Sequence, residues 1–447
     1  MTRFTSLAAT LLATTLLTPA LFAADPAPKA DADQGAAHST HDAHAHGHGD
    51  GHRDGHHHGA ADVTLSTEAL AAYGDFGFDP GTMVPAARES FARGLAMLWG
   101  FNHAGAVTAF RTAQEADPTC SACYWGEAYA LGPNLNDGMH DENTGRAAEA
   151  AALALGRAVS PRDRMLASAL VARYDSTLGD RAAQDAAFAE AMDQAAAQLP
   201  GNANVQVILA DALMNLQPWD YWEADRTPKG RTADILAALE RAMALDPDHP
   251  GALHLWIHAL EAAHPERAEE AADRLRGAVP ISGHLLHMPA HIYNRLGRWE
   301  DSIAVNRDAV AADAAYIERE GETASDIYQY GYVPHNMHFL LVAAQMSGRA
   351  DLAIEAAGDL ARMTSDDVSE DLGWVQAIDT ATYAVHAQMA EPETILALPD
   401  PGDRFPYVAG HWHWARATAF AATGDIAAAR QERDALAALL EGSDFSA

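Results

Sequence analysis

The sequence predicts an all-α protein built as a solenoid of stacked helical hairpins. Three observations carry that expectation. Alanine is abundant, aromatic residues make up only 7% of the chain, and β-branched runs are few, a balance that favours helix over strand. From about residue 86 a helix–turn–helix pattern returns with a period in the mid-thirties. Small residues and helix-stopping residues recur at corresponding places in successive copies.

The elements follow in order. Arg3 precedes an apolar stretch from Leu7 to Leu17, and the small residues Ala20, Ala23 and Ala24 come after it. That stretch is too short to span a bilayer. Residues 1–24 therefore read as a secretory signal cleaved near Ala23 or Ala24, which predicts a periplasmic or secreted location. No second stretch of transmembrane length follows. Residues 25–61 are low in complexity and have no apolar period to offset the entropy of ordering, so they read as a disordered arm. The arm holds His38, His41, His44, His46, His48, His52, His56, His57 and His58 among Gly, Asp and Ala. Neutral imidazole is a good ligand for zinc and copper, and such tracts bind them. A solubilising spacer is the plainer reading.

Residues 62–447 form the repeat region. The clearest copy is 87–118, with Gly94 at the helix crossing, Ala106, Phe110 and Ala113 on one face of the second helix, and Asp117-Pro118 ending it. Similar endings occur at Leu199-Pro200 and Asp246-Pro247. Turns are marked by Leu296-Gly297-Arg298, Ser347-Gly348-Arg349 and Gly424, each followed by Ala-rich helix. Residues 134–145, 217–232 and 314–333 read as insertions. Over roughly 86–441 the pattern resembles the tetratricopeptide repeat family, with eight or nine hairpins and no copy carrying the full consensus. The resemblance implies a concave groove lined by the first helix of each hairpin, where members of that family bind peptides or partner proteins. The same motifs, with C-x-x-C-Tyr-Trp-Gly, His-Met-Pro-Ala-His and Pro-His-Asn-x-His, also resemble exported bacterial repeat proteins of unassigned function.

Seven histidines stand on the first helices of three successive hairpins: His254 and His258; His284, His287 and His291; His335 and His338. Within each set the spacing is three or four, so neighbours share a helix face. In the first helix Leu253, Trp256, Ile257 and Leu260 make the packing stripe, and His254, His258 and Glu261 lie about 110° away. The next helices repeat this with His287, His291 and Asn294, then with His335 and His338. The stripe is expected to line the groove, joined by His411 from the last hairpin and by Asp211 and Asn215 from an earlier one. Packed helices lie about 8–10 Å apart, a gap that two imidazoles can close around one ion at about 2.0–2.1 Å per bond. The expected ligand is a transition-metal ion, copper or zinc. An anionic ligand, a peptide or plain solvated histidines are the alternatives. Pro289 inside the second set raises a kink that would disturb its alignment.

Net charge is −33, which disfavours nucleic acid and anionic membranes and favours cations. His287 and His291 have zincin spacing, but Met288 replaces the glutamate base, so hydrolase chemistry loses its support. A metalloenzyme with Tyr293, Tyr332 or Glu261 beside the ion remains a third class of reading, after metal binder and protein-binding scaffold. Cys120 and Cys123 are the only cysteines. Tyr124 excludes haem attachment, which leaves a local disulfide, favoured in an oxidising compartment, or thiolate ligation beside His103 or His140.

Overall fold

A computed structural model describes residues 65–321, 325–371, 373 and 375–443. The signal segment and the His-rich arm lie outside the described residues. Among these residues the regular structure is helical, apart from one isolated bridge between Trp222 and Pro228. Among the described residues no helix is long and apolar enough to cross a membrane.

After α1 (Thr67–Tyr73) the chain runs as antiparallel hairpins. These are α2 (Pro85–Trp99) with α3 (His103–Ala116), α4 (Ser121–Ala130) with α5 (Asp141–Arg157), α6 (Pro161–Arg173) with α7 (Arg181–Gln198), and α8 (Ala203–Met214) with α9 (Thr232–Leu245). Then come α10 (Pro250–Leu260) with α11 (Glu269–Leu275), and α12 (Gly283–His287) and α13 (Pro289–Leu296) together with α14 (Trp299–Glu320). The pair α15 (Val333–Met346) and α16 (Ala350–Leu360) follows. Four short helices lead to the last pair, α17 (Asp366–Asp371), α18 (Val375–Asp379), α19 (Ala381–Met389) and α20 (Pro392–Leu396), before α21 (Pro406–Thr423) and α22 (Ile426–Gly442). Among the described residues this is an all-α, tetratricopeptide-like solenoid of eight hairpins.

Local chemistry sets the boundaries. Pro85, Pro161, Pro250 and Pro406 sit in the first turn, where a missing N–H costs nothing. Asn102, Ser160 and Asn202 cap by accepting the amide three residues on. Gly297 and Gly424 take the left-handed conformation that ends α13 and α21. The hairpins then lock through close packing. The Phe110 ring is fully buried between α2 and α4, where Gly94 and Gly126 leave room for it.

The insertions behave differently from loops. Residues 314–320 are helix, because α14 runs on for 22 residues, and a single π-turn occupies Ile327–Tyr332. The end of α14 returns to the first hairpin, where the Tyr316 hydroxyl donates to Asn102 Oδ1 at 3.2 Å and Arg93 pairs with Glu320 at 2.8 Å. Trp219 Nε1 donates to the Leu135 carbonyl at 2.9 Å, and Asn136 Nδ2 donates to the Tyr332 hydroxyl at 3.0 Å. These bonds draw all three insertions together. The face expected to be an open groove is filled over its middle repeats, since an insertion that buries aromatic surface gains more than one left in water.

A methyl group at Gly126 would stand 2.5 Å from the Phe110 ring. Gly126→Ala is expected to lower stability by about 1–3 kcal/mol through overpacking, read as a fall in the thermal midpoint. Phe110→Leu in the same chain should recover part of that loss.

Candidate metal centre

Four helical segments bring six of the seven striped histidines together. α10 supplies His254 and His258, α12 supplies His284 and His287, α13 supplies His291 and α15 supplies His335. Proline does break the middle helix: Met288 ends α12 and Pro289 opens α13. The break does not scatter the histidines, since the His287 and His291 rings remain 4.8 Å apart. The start of α12 is fixed by Asp313, whose carboxylate fills the space where Gly283 lacks a side chain. That carboxylate accepts from the Tyr328 hydroxyl at 2.6 Å and from Asn336 Nδ2 at 2.7 Å, tying α12 to the start of α15. Burial pushes the Asp313 carboxyl up to about 6 against both hydrogen bonds.

The six side chains form two triads, His254–His258–His284 and His287–His291–His335. In each, one ligand atom per residue lies within 4.8 Å of the others. His254 Nε2 and His284 Nε2 are 3.2 Å apart. Two nitrogens on one ion at about 2.0–2.1 Å stand roughly 3.3 Å apart at near-tetrahedral angles, so this separation fits a shared ion as well as it fits one ring donating to the other.

Glu261, just past α10, joins the triads. Its Oε1 accepts from His258 Nδ1 at 3.1 Å and its Oε2 accepts from His291 Nδ1 at 2.6 Å. His287 Nδ1 donates to Asn306 Oδ1 at 2.7 Å. Because a carboxylate and an amide oxygen only accept, these contacts place the proton on Nδ1 and the lone pair on Nε2. The three Nε2 atoms are buried and have no hydrogen-bond partner in the protein. An unpaired buried polar atom costs about 1–3 kcal/mol, and here one stands in the first triad and two in the second. His249 shows the ordinary alternative: both its ring nitrogens are satisfied, by the Ala252 amide at 3.2 Å and Asn204 Oδ1 at 3.1 Å.

The electrostatics agree with a ligand set. Burial, then neighbouring imidazoles, holds His254, His284, His287 and His335 well below the usual histidine range. Burial lowers His258 as well, against the pull of Glu261. Burial works to raise Glu261, but the interactions with His291 and His258 outweigh it and hold its carboxyl below the usual carboxylate range, so it stays ionised. Neutral imidazoles oriented by a carboxylate are the state that metal binding requires.

The remaining expected site residues lie elsewhere. His338 is buried beside His335 and joins neither triad. His411 bonds the Tyr407 carbonyl at 2.9 Å on the last hairpin, away from the cluster. Asp211 accepts from the Tyr129 hydroxyl, and Asn215 donates to the Asp211 carbonyl at 2.9 Å. Tyr293 donates to Asp273 at 2.8 Å and is tied there, while Asn294 is half-buried. Tyr332 does reach the centre, its ring 4.9 Å from His284. Cys120 and Cys123 are joined in a disulfide, so neither offers a thiolate. Asn306, Phe101, Trp219 and Phe339 were not legible from sequence; they touch the histidines only because distant segments pack there.

No family model matches the chain, and no curated protein matches it. Solved structures similar to it include a human IFIT1 dimer with PPP-AAAA, at 11% identity and TM-score 0.34, covering 87% of this chain and 84% of that one. Another is the TPR domain of P58(IPK), at 13% identity and TM-score 0.20, covering 80% of this chain and 94% of that one. Superpositions this loose carry no argument about the histidines, whose reading rests on their own geometry.

The buried imidazoles make stability pH-dependent. Unfolded histidines titrate near 6.5, whereas burial holds His103, His249 and His338 at about 4 and keeps His254, His284, His287 and His335 well below the usual histidine range. Between those values the unfolded chain binds more protons, so stability falls as pH is lowered through 6.5 toward 4. Asp313 acts oppositely from about pH 4 to 6, as one group against several. Denaturant midpoints of metal-free protein should drop over that window with a slope of more than one proton, about 1.4 kcal/mol per pH unit for each.

Proposed function

We propose that this protein binds transition-metal ions, one in each three-histidine site, with copper or zinc as the metal. The observation that carries the reading is the shared state of His258, His287 and His291: Nδ1 anchored by an acceptor, Nε2 buried and unpartnered. Imidazole sets of this kind suit copper and zinc. The net charge of −33 favours a cation. Export through residues 1–24 would bring the chain to a compartment where free ions are met. The nine arm histidines would then capture ions at lower affinity and pass them on.

A second reading, a scaffold for a peptide or protein, is favoured by the last hairpin. No residue of α22 is buried there, and Tyr407, Trp414, Ile426 and Leu440 are exposed. A partner retained in chelator would support it.

Metal analysis of the mature chain and of a chain lacking residues 25–61 tests the first reading. Both are expected to retain two equivalents after dialysis. His258→Ala and His291→Ala should each lose one. Glu261→Gln should weaken binding about 10–100-fold, because an amide cannot accept from both imidazoles. A deleted chain that holds no metal, and takes up neither copper nor zinc, overturns the reading.

A further inference from the structure

We propose that the two triads are a single dinuclear cuprous centre, with Phe101 packed on one triad and Phe339 on the other, whose two ions are bridged by one small ligand such as dioxygen. The inference rests on the metal-binding reading above and adds the ion, its coupling and its ligand.

Four observations carry it. First, the triads are contiguous. His258 and His291 share Glu261 and their ring centroids are 5.9 Å apart, while His284 and His287 are 6.1 Å apart. Second, each triad has its own phenyl ring. Phe101 lies 4.7, 5.9 and 5.2 Å from His254, His258 and His284. Phe339 lies 4.6, 4.6 and 4.8 Å from His287, His291 and His335. Each ring packs on one set only and so shields that set from water. Third, the Phe101 ring is held there against a backbone preference. Its φ is 57°, at the position after α2 where its own N–H bonds the Leu98 carbonyl and the next amide bonds Met97. Glycine is usual at that step, and a phenylalanine costs about 1–2 kcal/mol more. Trp219, edge-on to His258 at 5.0 Å, has a φ of 64°. Strain of this kind collects at functional sites.

Fourth is charge. Imidazoles that hold an ion through a ring lone pair are neutral, and Glu261, which accepts from two of them, is the one carboxylate in contact with the set, so the ligands bring at most −1 into a buried site. Two divalent ions would leave +3 there, and two cuprous ions +1. Uncompensated buried charge is costly, so the count selects the monovalent ion. Its soft character suits imidazole, and three ligands satisfy it. Two cuprous ions also balance one reaction without an outside reductant. Each gives one electron to dioxygen, which becomes a peroxide bridging two cupric ions.

The test uses the mature full-length chain, loaded with cuprous ion without oxygen. Arm-bound copper is stripped with a competing chelator before air is admitted. Expected are two retained coppers, one dioxygen taken up per pair, and a spin count far below two, because bridged cupric ions couple. His335→Ala should retain one copper and show nearly a full spin. Phe101→Ala and Phe339→Ala should lose copper to chelator several-fold faster. Two copper ions with two independent spins, or one copper alone in the unaltered chain, overturns the coupled centre and leaves metal binding standing. No retained copper overturns the cuprous assignment, and no retained metal of any kind overturns both readings. Unchanged loss rates in both phenylalanine variants overturn the capping role.

Discussion

The arrangement depends on one buried carboxylate accepting from two imidazoles. Glu261 sits at the end of α10, and its two oxygens reach His258 on its own helix and His291 on α13. An ionised glutamate in an apolar interior needs partners, and two N–H donors supply them. Meeting that need has a consequence for the donors. It fixes their Nδ1 protons and leaves Nε2 lone pairs directed elsewhere. One interaction thus stabilises the glutamate, sets two tautomers and ties the two triads into one unit.

Around that contact the fold is layered by distance in sequence. Hairpin packing is local: Phe110 between Gly94 and Gly126 involves neighbouring helices. Closure over the histidines is remote: Tyr316 reaches Asn102, and Tyr332 meets Asn136. The remote bonds bring the 134–145, 217–232 and 314–333 segments over the concave side. Desolvation follows, and desolvation keeps the imidazoles neutral and their lone pairs available. An open solenoid of the same hairpins would present the same residues as ordinary hydrated, titrating histidines.

Much of the site was legible before any coordinates. The i,i+3 and i,i+4 spacings named all six histidines that come together, and the 110° offset from the packing stripe placed Glu261 with them. The division into triads was not legible. The spacing pairs residues on one helix, yet His284 joins α10 while His287, three residues on, joins His291 and His335. The reason is geometric. α12 passes between α10 and α15, so residues on adjacent turns face different neighbours. His338 and His411 matched the face rule and still fall outside, because a shared face says nothing about which helices converge.

The sequence by itself determined the helices, the hairpin turns, the small residues at crossings and the histidine stripe, since each is written in a local period or in the backbone limits of Gly and Pro. Tertiary structure alone decided that the stripe is interior, that it divides in two, and that Phe101 and Phe339 lie over it. Those outcomes come from contacts between segments up to about two hundred residues apart, as Tyr316 and Asn102 are, and no local pattern specifies where such segments meet.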